Sequence, residues 1–309
     1  MADWEVRLFG KPIIQCYGKA WSGPENNHAQ EIFLYLLSHR RAVHSRESLA
    51  CLLWGDSPTD QSRKQLRQTL WRLRSCDSLP AEMKCDFLLS IDKEYIQINP
   101  AIECSVDTEV FEQAYNQIKG RSAIDATLAE PLREAVQLYR GGFLENYWQD
   151  WCIYERERLQ NMYLAMLDKL VEWCLVQKRF EEGFEYTERI LRLDPASERA
   201  HQQIMRLHHY SGNRTAALRQ FERCVKALKD ELGVEPAKKT LMLFEQIRAD
   251  RLDSGSYPTF QTDSQSSFSL SDLLAHLKQS HSKLAELQKE IQRDIQLVEY
   301  CLPRRRTQH

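Results

Sequence analysis

Five pairs of positions in the middle of this chain recur at an offset of 34 residues: Leu170 and Ile204, Trp173 and Leu207, Gly183 and Ala217, Thr187 and Phe221, Ile190 and Cys224. The Gly183/Ala217 pair puts a small residue where paired helices touch. Lys178-Arg179 in one copy and Gly212-Asn213 in the other supply the turns, and Pro195 closes the first copy. A helix–turn–helix unit of this length is the period of tetratricopeptide arrays. One such unit cannot bury its own apolar face, so helices expected over 107–119 and 124–139 stack onto it. The array suits protein or ligand binding on a concave surface, with a rigid spacer as the plainer alternative.

Ahead of the array, residues 1–105 alternate between strand and helix signals. Trp4, Val6 and Leu8 read as a strand, Gly10-Lys11-Pro12 as a turn and Ile13-Ile14 as a second short strand. A helix over 29–39 buries Ile32, Phe33, Leu36 and Leu37. Ser45 caps a short second helix that runs through Leu49, Leu52 and Leu53 into Trp54. After a break at Gly55–Asp60, residues 61–76 form a helix with five cations and no acid. Leu66, Leu70 and Leu73 lie on its apolar stripe, and Arg63, Lys64, Arg67, Gln68, Trp71, Arg72 and Arg74 fill the opposite arc. A solvated helix would interleave acids for i, i+4 pairing; this one is built to meet an anion. Phe87–Ile91 and Tyr95–Ile98 then alternate as a hairpin across Asp92-Lys93-Glu94. Strands, three helices and a hairpin are the order of a winged helix-turn-helix with a leading sheet. The expected fold class is therefore mainly α with a small α+β domain: a winged helix-turn-helix, a tetratricopeptide-like repeat domain and a C-terminal long helix.

Charge and composition narrow the function. Residues 1–105 hold thirteen Lys and Arg against thirteen Asp and Glu, a net of zero, so any affinity for nucleic acid is concentrated in one helix. The nine cysteines never fall in a C-x-x-C spacing and read as reduced thiols. The histidines lack metal-ligand spacing, and no G-x-S-x-G or Cys/His signature occurs, so neither catalysis, nor a metal, nor a cofactor is expected. No apolar run approaches a membrane span and no export signal opens the chain, which places it in the cytoplasm.

The end of the chain has two parts. Residues 251–268 are Ser/Gln/Thr-rich and read as a flexible linker. Over 269–303 an amphipathic helix is expected, with Leu270, Leu277, Leu284, Ile291 and Val298 at intervals of seven and Leu287 in the accompanying row. This seam can pair with a second copy, giving a homodimer, or fold back on the repeats.

Several stretches carry a family likeness. They are Arg46-Glu-Ser-Leu-Ala-Cys-Leu-Leu-Trp54, Leu66-Arg-Gln-Thr-Leu-Trp-Arg-Leu-Arg74 and Val106-Asp-Thr-Glu-Val-Phe111 in the first part. In the second they are Leu138-Tyr-Arg-Gly-Gly-Phe-Leu144, Asp150-Trp-Cys-Ile-Tyr-Glu-Arg-Glu-Arg-Leu159 and Glu231-Leu-Gly-Val-Glu-Pro236. Through them, residues 1 to about 250 resemble the Streptomyces antibiotic regulatory protein family: an OmpR-class winged helix-turn-helix (1–105) followed by a bacterial transcriptional activation domain (106–250). The resemblance implies an activator that binds repeated sites in double-stranded promoter DNA as a dimer and touches RNA polymerase, including its sigma subunit, on the bacterial nucleoid. The phosphate-binding loop of the family's larger members is missing, since Gly18-Lys19 follows Gly10 by eight residues and Ala20 stands where a hydroxyl is needed. A repeat-based adaptor with a non-DNA-binding N-terminal domain is the alternative.

On a duplex, Arg67 and Gln68 suit guanine and adenine edges, while Arg63, Lys64, Arg72 and Arg74 suit phosphates. Trp71 is either a packing shoulder against the hairpin, the reading favoured here, or an apolar contact to sugars and thymine methyls. Lys93 and Tyr95 are the wing candidates. Arg40 and Arg41 fit solvent as well as any contact.

Overall fold

The computed structural model describes residues 4–21, 23–24, 27–55, 57–75 and 87–252. The expected linker beyond Leu252 and the heptad positions Leu270, Leu277, Leu284, Leu287, Ile291 and Val298 lie outside them.

The first strand, β1 (Trp4–Arg7), buries Trp4 and Val6 and pairs antiparallel with β2 (Ile13–Cys16), which pairs with β3 (Lys19–Trp21). On its other edge β1 takes a parallel strand from far along the chain, β7 (Cys104–Val106), in the register Trp4↔Cys104 and Val6↔Val106. The sheet order is β3-β2-β1-β7. Position 105 therefore sits inside a strand of the leading sheet, and the last residue of that strand opens directly into the first helix of the array. Strands β3 and β7, at three residues each, are too short to leave an alternating signal.

Helix α1 (Asn27–Ser38) meets the sheet through Phe33 against Trp4 and Trp21, and α2 (Arg46–Trp54) and α3 (Thr59–Arg74) pack on each other, with α3 also against α1. Ser45 caps α2 as its sequence predicts, accepting the amide of Ser48 at 3.0 Å. The basic helix begins two residues earlier than expected because the Pro58 carbonyl accepts the amides of Gln61 and Ser62. This brings Asp60 into its first turn and leaves Arg72 and Arg74 in its last, the distribution the helix dipole favours. The hairpin forms from β5 (Leu88–Ser90) and β6 (Tyr95–Ile98), with Leu88 opposite Ile98. Asp92 accepts the amides of Glu94 and Tyr95 at 2.6 and 2.8 Å and so closes the turn. A two-residue strand, β4 (His44–Ser45), pairs with β6 and attaches the hairpin to the start of α2.

The remaining helices are α4 (Asp107–Ile118), α5 (Ala126–Leu138), α6 (Asp150–Val176), α7 (Phe180–Leu193), α8 (Glu198–Tyr210), α9 (Arg214–Leu232) and α10 (Lys238–Arg248). The 34-residue period holds at atomic detail. Helices α6 and α8 end 34 residues apart, α7 and α9 begin 34 apart, and the left-handed turn residues are Lys178 and Gly212. Even the turn bonds repeat: Arg179 N donates to Cys174 O as Asn213 N donates to His208 O, both at 2.8 Å.

A methyl group at Gly183 would sit 2.8 Å from Leu207 Cδ2 and 3.4 Å from Cys174 Cβ, both fully buried. Gly183→Ala should therefore lower stability by about 1–3 kcal/mol despite the better helix propensity of Ala, read as a lower denaturation midpoint at unchanged m. An unchanged or raised midpoint would show that the α7–α8 contact can relax.

One apolar core runs from Trp4 through both regions to Leu207, with a smaller cluster of Met205, Ala217, Leu243 and Ile247 beyond it. The joint between regions is polar and specific. Asp107, buried at the start of α4, accepts the amides of Leu8 (2.9 Å), Phe9 (3.1 Å) and Thr108 (2.8 Å). Next to it, Gly10 N donates to Gly142 O and Leu144 N to Leu8 O, and Phe9 bridges to Phe143. A Cβ on Gly141 would come within 3.3 Å of Gly10 Cα, so backbone approaches backbone there. Arg156 holds the same loop by donating to the carbonyls of Phe143, Leu144 and Tyr147 at 2.7–2.8 Å. Arg40 and Arg41, read as solvent-compatible, instead both donate to Glu109 of α4. Burial alone would raise the Glu109 pKa, but the two guanidiniums outweigh it and hold the carboxyl below the usual range.

His201 is buried, with Nε2 against Pro195 O at 3.0 Å and Nδ1 against the Gln220 amide nitrogen at 2.7 Å. That pairing suits the neutral ring, donating at one nitrogen and accepting at the other. Burial lowers its pKa, and those of His44 and His208 likewise. Stability from these rings is whole above the unfolded pKa of about 6.5 and is lost as pH falls below it, by at most about 1.4 kcal/mol per ring per pH unit. Melting temperature should drop between pH 7.5 and 5.5, less so in His201→Gln; an equal drop in that variant would clear His201 of the effect.

Candidate nucleic-acid interface

Helix α3 is clamped by one face only. Ser62, Leu66, Thr69, Leu70 and Leu73 are buried, and Arg63, Lys64, Arg67, Gln68, Trp71, Arg72 and Arg74 are exposed. The narrow apolar stripe thus fixes the helix to α1 and α2 while its cationic arc meets solvent.

The structure sorts the expected contact residues into three groups. A cleft of about 650 Å³ lies between the start of α2, the first half of α3 and the hairpin turn, and brings together Arg63, Arg67, Lys93 and Tyr95. Glu47, Asp60 and Glu94 also line it, so its charge is mixed, and Arg63 already reaches Glu47 at 3.4 Å. Both partners are well exposed, so that pair is weak and easily exchanged. Lys64, Gln68, Trp71 and Arg72 project from α3 outside the cleft. Arg74 stands apart at the other edge, where it donates to Ser90 Oγ (2.7 Å) and Leu88 O (3.4 Å) and ties the end of α3 to β5.

Trp71 corrects an expectation. It does not pack against the hairpin: 69% of its surface is exposed, and it has no ring or cation–π partner among the described residues. Helical periodicity gave its angle on α3 but not the reach of the hairpin, which is set by the β4–β6 pairing.

Arg46, on the first turn of α2, was not singled out by its sequence. Its guanidinium donates to Ser90 Oγ at 3.2 Å, the hydroxyl that also receives Arg74, and its buried Nε has no hydrogen-bond partner among the described residues. Burial first, and then the like charge of Arg74, hold its pKa below the usual guanidinium range. Two cations share one neutral hydroxyl there, and the charge of Asp92 partly offsets their repulsion. Only the fold reveals this arrangement, since Ser90 lies 44 residues from Arg46.

Thiol and metal chemistry leave little else. Burial raises the Cys16, Cys104 and Cys224 thiols to about 11 and those of Cys152 and Cys174 to about 12, which suppresses the reactive thiolate. Among the described residues no group of three or more His, Cys, Asp or Glu is placed to hold a metal, and no helix is long and apolar enough to cross a membrane.

Residues 106–248 match the family described as "Bacterial transcriptional activator domain". The chain is 24% identical over 221 residues to the Transcriptional regulatory protein MoaR1 of Mycobacterium tuberculosis, covering 70% of each. It is 22% identical over 241 residues to the Regulatory protein AfsR of Streptomyces griseus, spanning 75% of this chain and 24% of AfsR. In fold it is similar to Mycobacterium tuberculosis EmbR, solved in complex with a low affinity phosphopeptide: the TM-score is 0.67 at 18% identity, over 82% of this chain and 67% of that one. With a winged helix-turn-helix leading into a bacterial transcriptional activator domain over residues 106–248, the chain is similar to transcriptional regulators of the Streptomyces antibiotic regulatory protein type.

Proposed function

We propose that the chain is a sequence-specific activator that binds repeated sites in double-stranded promoter DNA through α3 and contacts RNA polymerase, its sigma subunit included, through the helical repeats. The observation that carries this reading is the exposed arc of α3, where four arginines and a lysine stand with Gln68 and Trp71 on a helix held from behind. In this reading residues 1–105 engage DNA and residues 106–250 engage polymerase, without a cofactor, in the bacterial cytoplasm. Arg67 and Gln68 meet base edges; Arg63, Lys64, Arg72 and Arg74, joined by Arg46, meet phosphates; Lys93 and Tyr95 of the hairpin meet the flanking backbone. Support for the polymerase role comes from the match of residues 106–248 to a bacterial transcriptional activator domain.

The test is selection of genomic fragments by the purified full-length chain, followed by a salt titration on the recovered sequence. With ~4–6 phosphates neutralised, log affinity should fall with log salt at a slope of about −4 to −5. Absence of binding to any duplex at low salt would overturn the reading in favour of an adaptor. If the heptad seam through Leu270, Leu277, Leu284, Leu287, Ile291 and Val298 makes the dimer, a chain ending at Asp250 scatters light as a monomer where the full chain does not.

A further inference from the structure

We propose that Trp71 is a specificity-determining residue that reads thymine by its 5-methyl group, so that the bound site carries a T·A pair beneath it. This inference rests on the DNA-binding reading above and deepens it at one side chain. Three observations converge on it. The indole is 69% exposed and packs on no ring among the described residues, so no aromatic packing there accounts for the side chain at this position. The buried row of α3 runs through Leu66, Leu70 and Leu73, and at 100° per residue Trp71 falls on the side opposite to it, in line with Lys64 seven residues earlier. Finally, Trp71 is four residues after Arg67 and three after Gln68, so its ring lies one turn from both side chains suited to base edges.

The chemistry of the groove then selects the ligand. In the major groove the thymine 5-methyl is the apolar feature among the donors and acceptors that distinguish the four base pairs. A flat apolar ring held between a guanidinium and an amide on a cationic helix is brought to the duplex by its neighbours' charge and reads what they cannot. A single exposed apolar residue elsewhere on a protein needs no explanation; this one stands at the centre of the face that would meet DNA.

The test replaces thymine by deoxyuridine in a recovered high-affinity site, one position at a time and then throughout, and measures binding by the full-length chain and by Trp71→Ala. Removing the methyl keeps the base pair and every hydrogen-bonding group. The wild-type chain should lose about fourfold in affinity at one thymine per half-site, the effect of one buried methyl, while Trp71→Ala binds the two duplexes equally. Because the ring faces away from the core, Trp71→Ala should melt with the wild-type chain, which separates readout from folding. The inference is overturned if no thymine is methyl-sensitive, or if Trp71→Ala keeps the same sensitivity. It is also overturned if Trp71→Ala binds weakly while deoxyuridine has no effect, which would assign the ring to sugar contact. Failure of the wild-type chain to bind any duplex would instead remove the DNA-binding reading itself, and this one with it.

Discussion

Replacing Asp107 with Ala should cost about 3–5 kcal/mol of stability and lower the melting temperature by roughly 10 °C. The carboxylate accepts from the amides of Leu8 and Phe9 at the end of β1 and from Thr108 at the start of α4. Thr108 lies in the first turn of a helix, where amides ordinarily lack an intrahelical partner, and Leu8 N and Phe9 N follow the last paired residue of β1. Alanine would leave these donors buried and unmet, at about 1–3 kcal/mol for each one that water cannot reach. Asp107→Asn keeps one acceptor oxygen and should cost roughly half as much. Burial pushes the Asp107 pKa up, and the three amides and the charge of Arg7 pull it down, with burial winning. A midpoint within about 1 kcal/mol of wild type for Asp107→Ala would mean that water enters and that the joint is softer than its distances suggest.

That joint also shows what could and could not be read from residues alone. The Val106-Asp-Thr and Arg-Gly-Gly-Phe-Leu144 stretches stand out as family signatures, yet nothing local explains them. Their reason is long-range: Asp107 binds a backbone 99 residues away, and Gly141 and Gly142 lie against Gly10. Helix α2, with its Ser45 cap, and α3, with its apolar stripe, were legible because these signals are local. The 34-residue register was legible because each turn is rebuilt from the same backbone bonds. The short strands β3, β4 and β7 were not, since two or three residues carry no period, and the partners of β7 and β4 come from distant segments.

The candidate interface divides along the same line. The cationic arc of α3 follows from 3.6-residue periodicity and holds in the structure. Charge pairing across elements does not: Arg40 with Glu109, Arg63 with Glu47, and Arg46 with Arg74 through Ser90 all depend on which segments the fold brings together. Trp71 failed as a packing residue for the same reason. Its angle on the helix was correct, and the neighbour assigned to it was elsewhere.

Substituting Arg67 by Ala should remove about 1–3 kcal/mol of discrimination between the recovered site and random duplex, a loss of roughly five- to 150-fold in the ratio of the two affinities. Arg67 sits where the outward arc meets the cleft that also holds Lys93 and Tyr95. It makes no ion pair among the described residues, so its two-pronged donor set is free for the O6 and N7 of a guanine. A control separates reading from attraction. Lys64, three residues earlier on the same arc, is assigned to a phosphate, so Lys64→Ala should weaken specific and random duplex alike and flatten the salt slope by about one. Arg67→Ala should also lose part of the salt dependence, because any removed cation releases fewer ions. The ratio of specific to random affinity therefore decides the role, and the slope does not. Equal losses on both duplexes for Arg67→Ala would take it out of base reading. Selectivity lost instead in Lys64→Ala would rotate the groove-facing edge of α3 by about 60°, the angle between positions three residues apart on a helix.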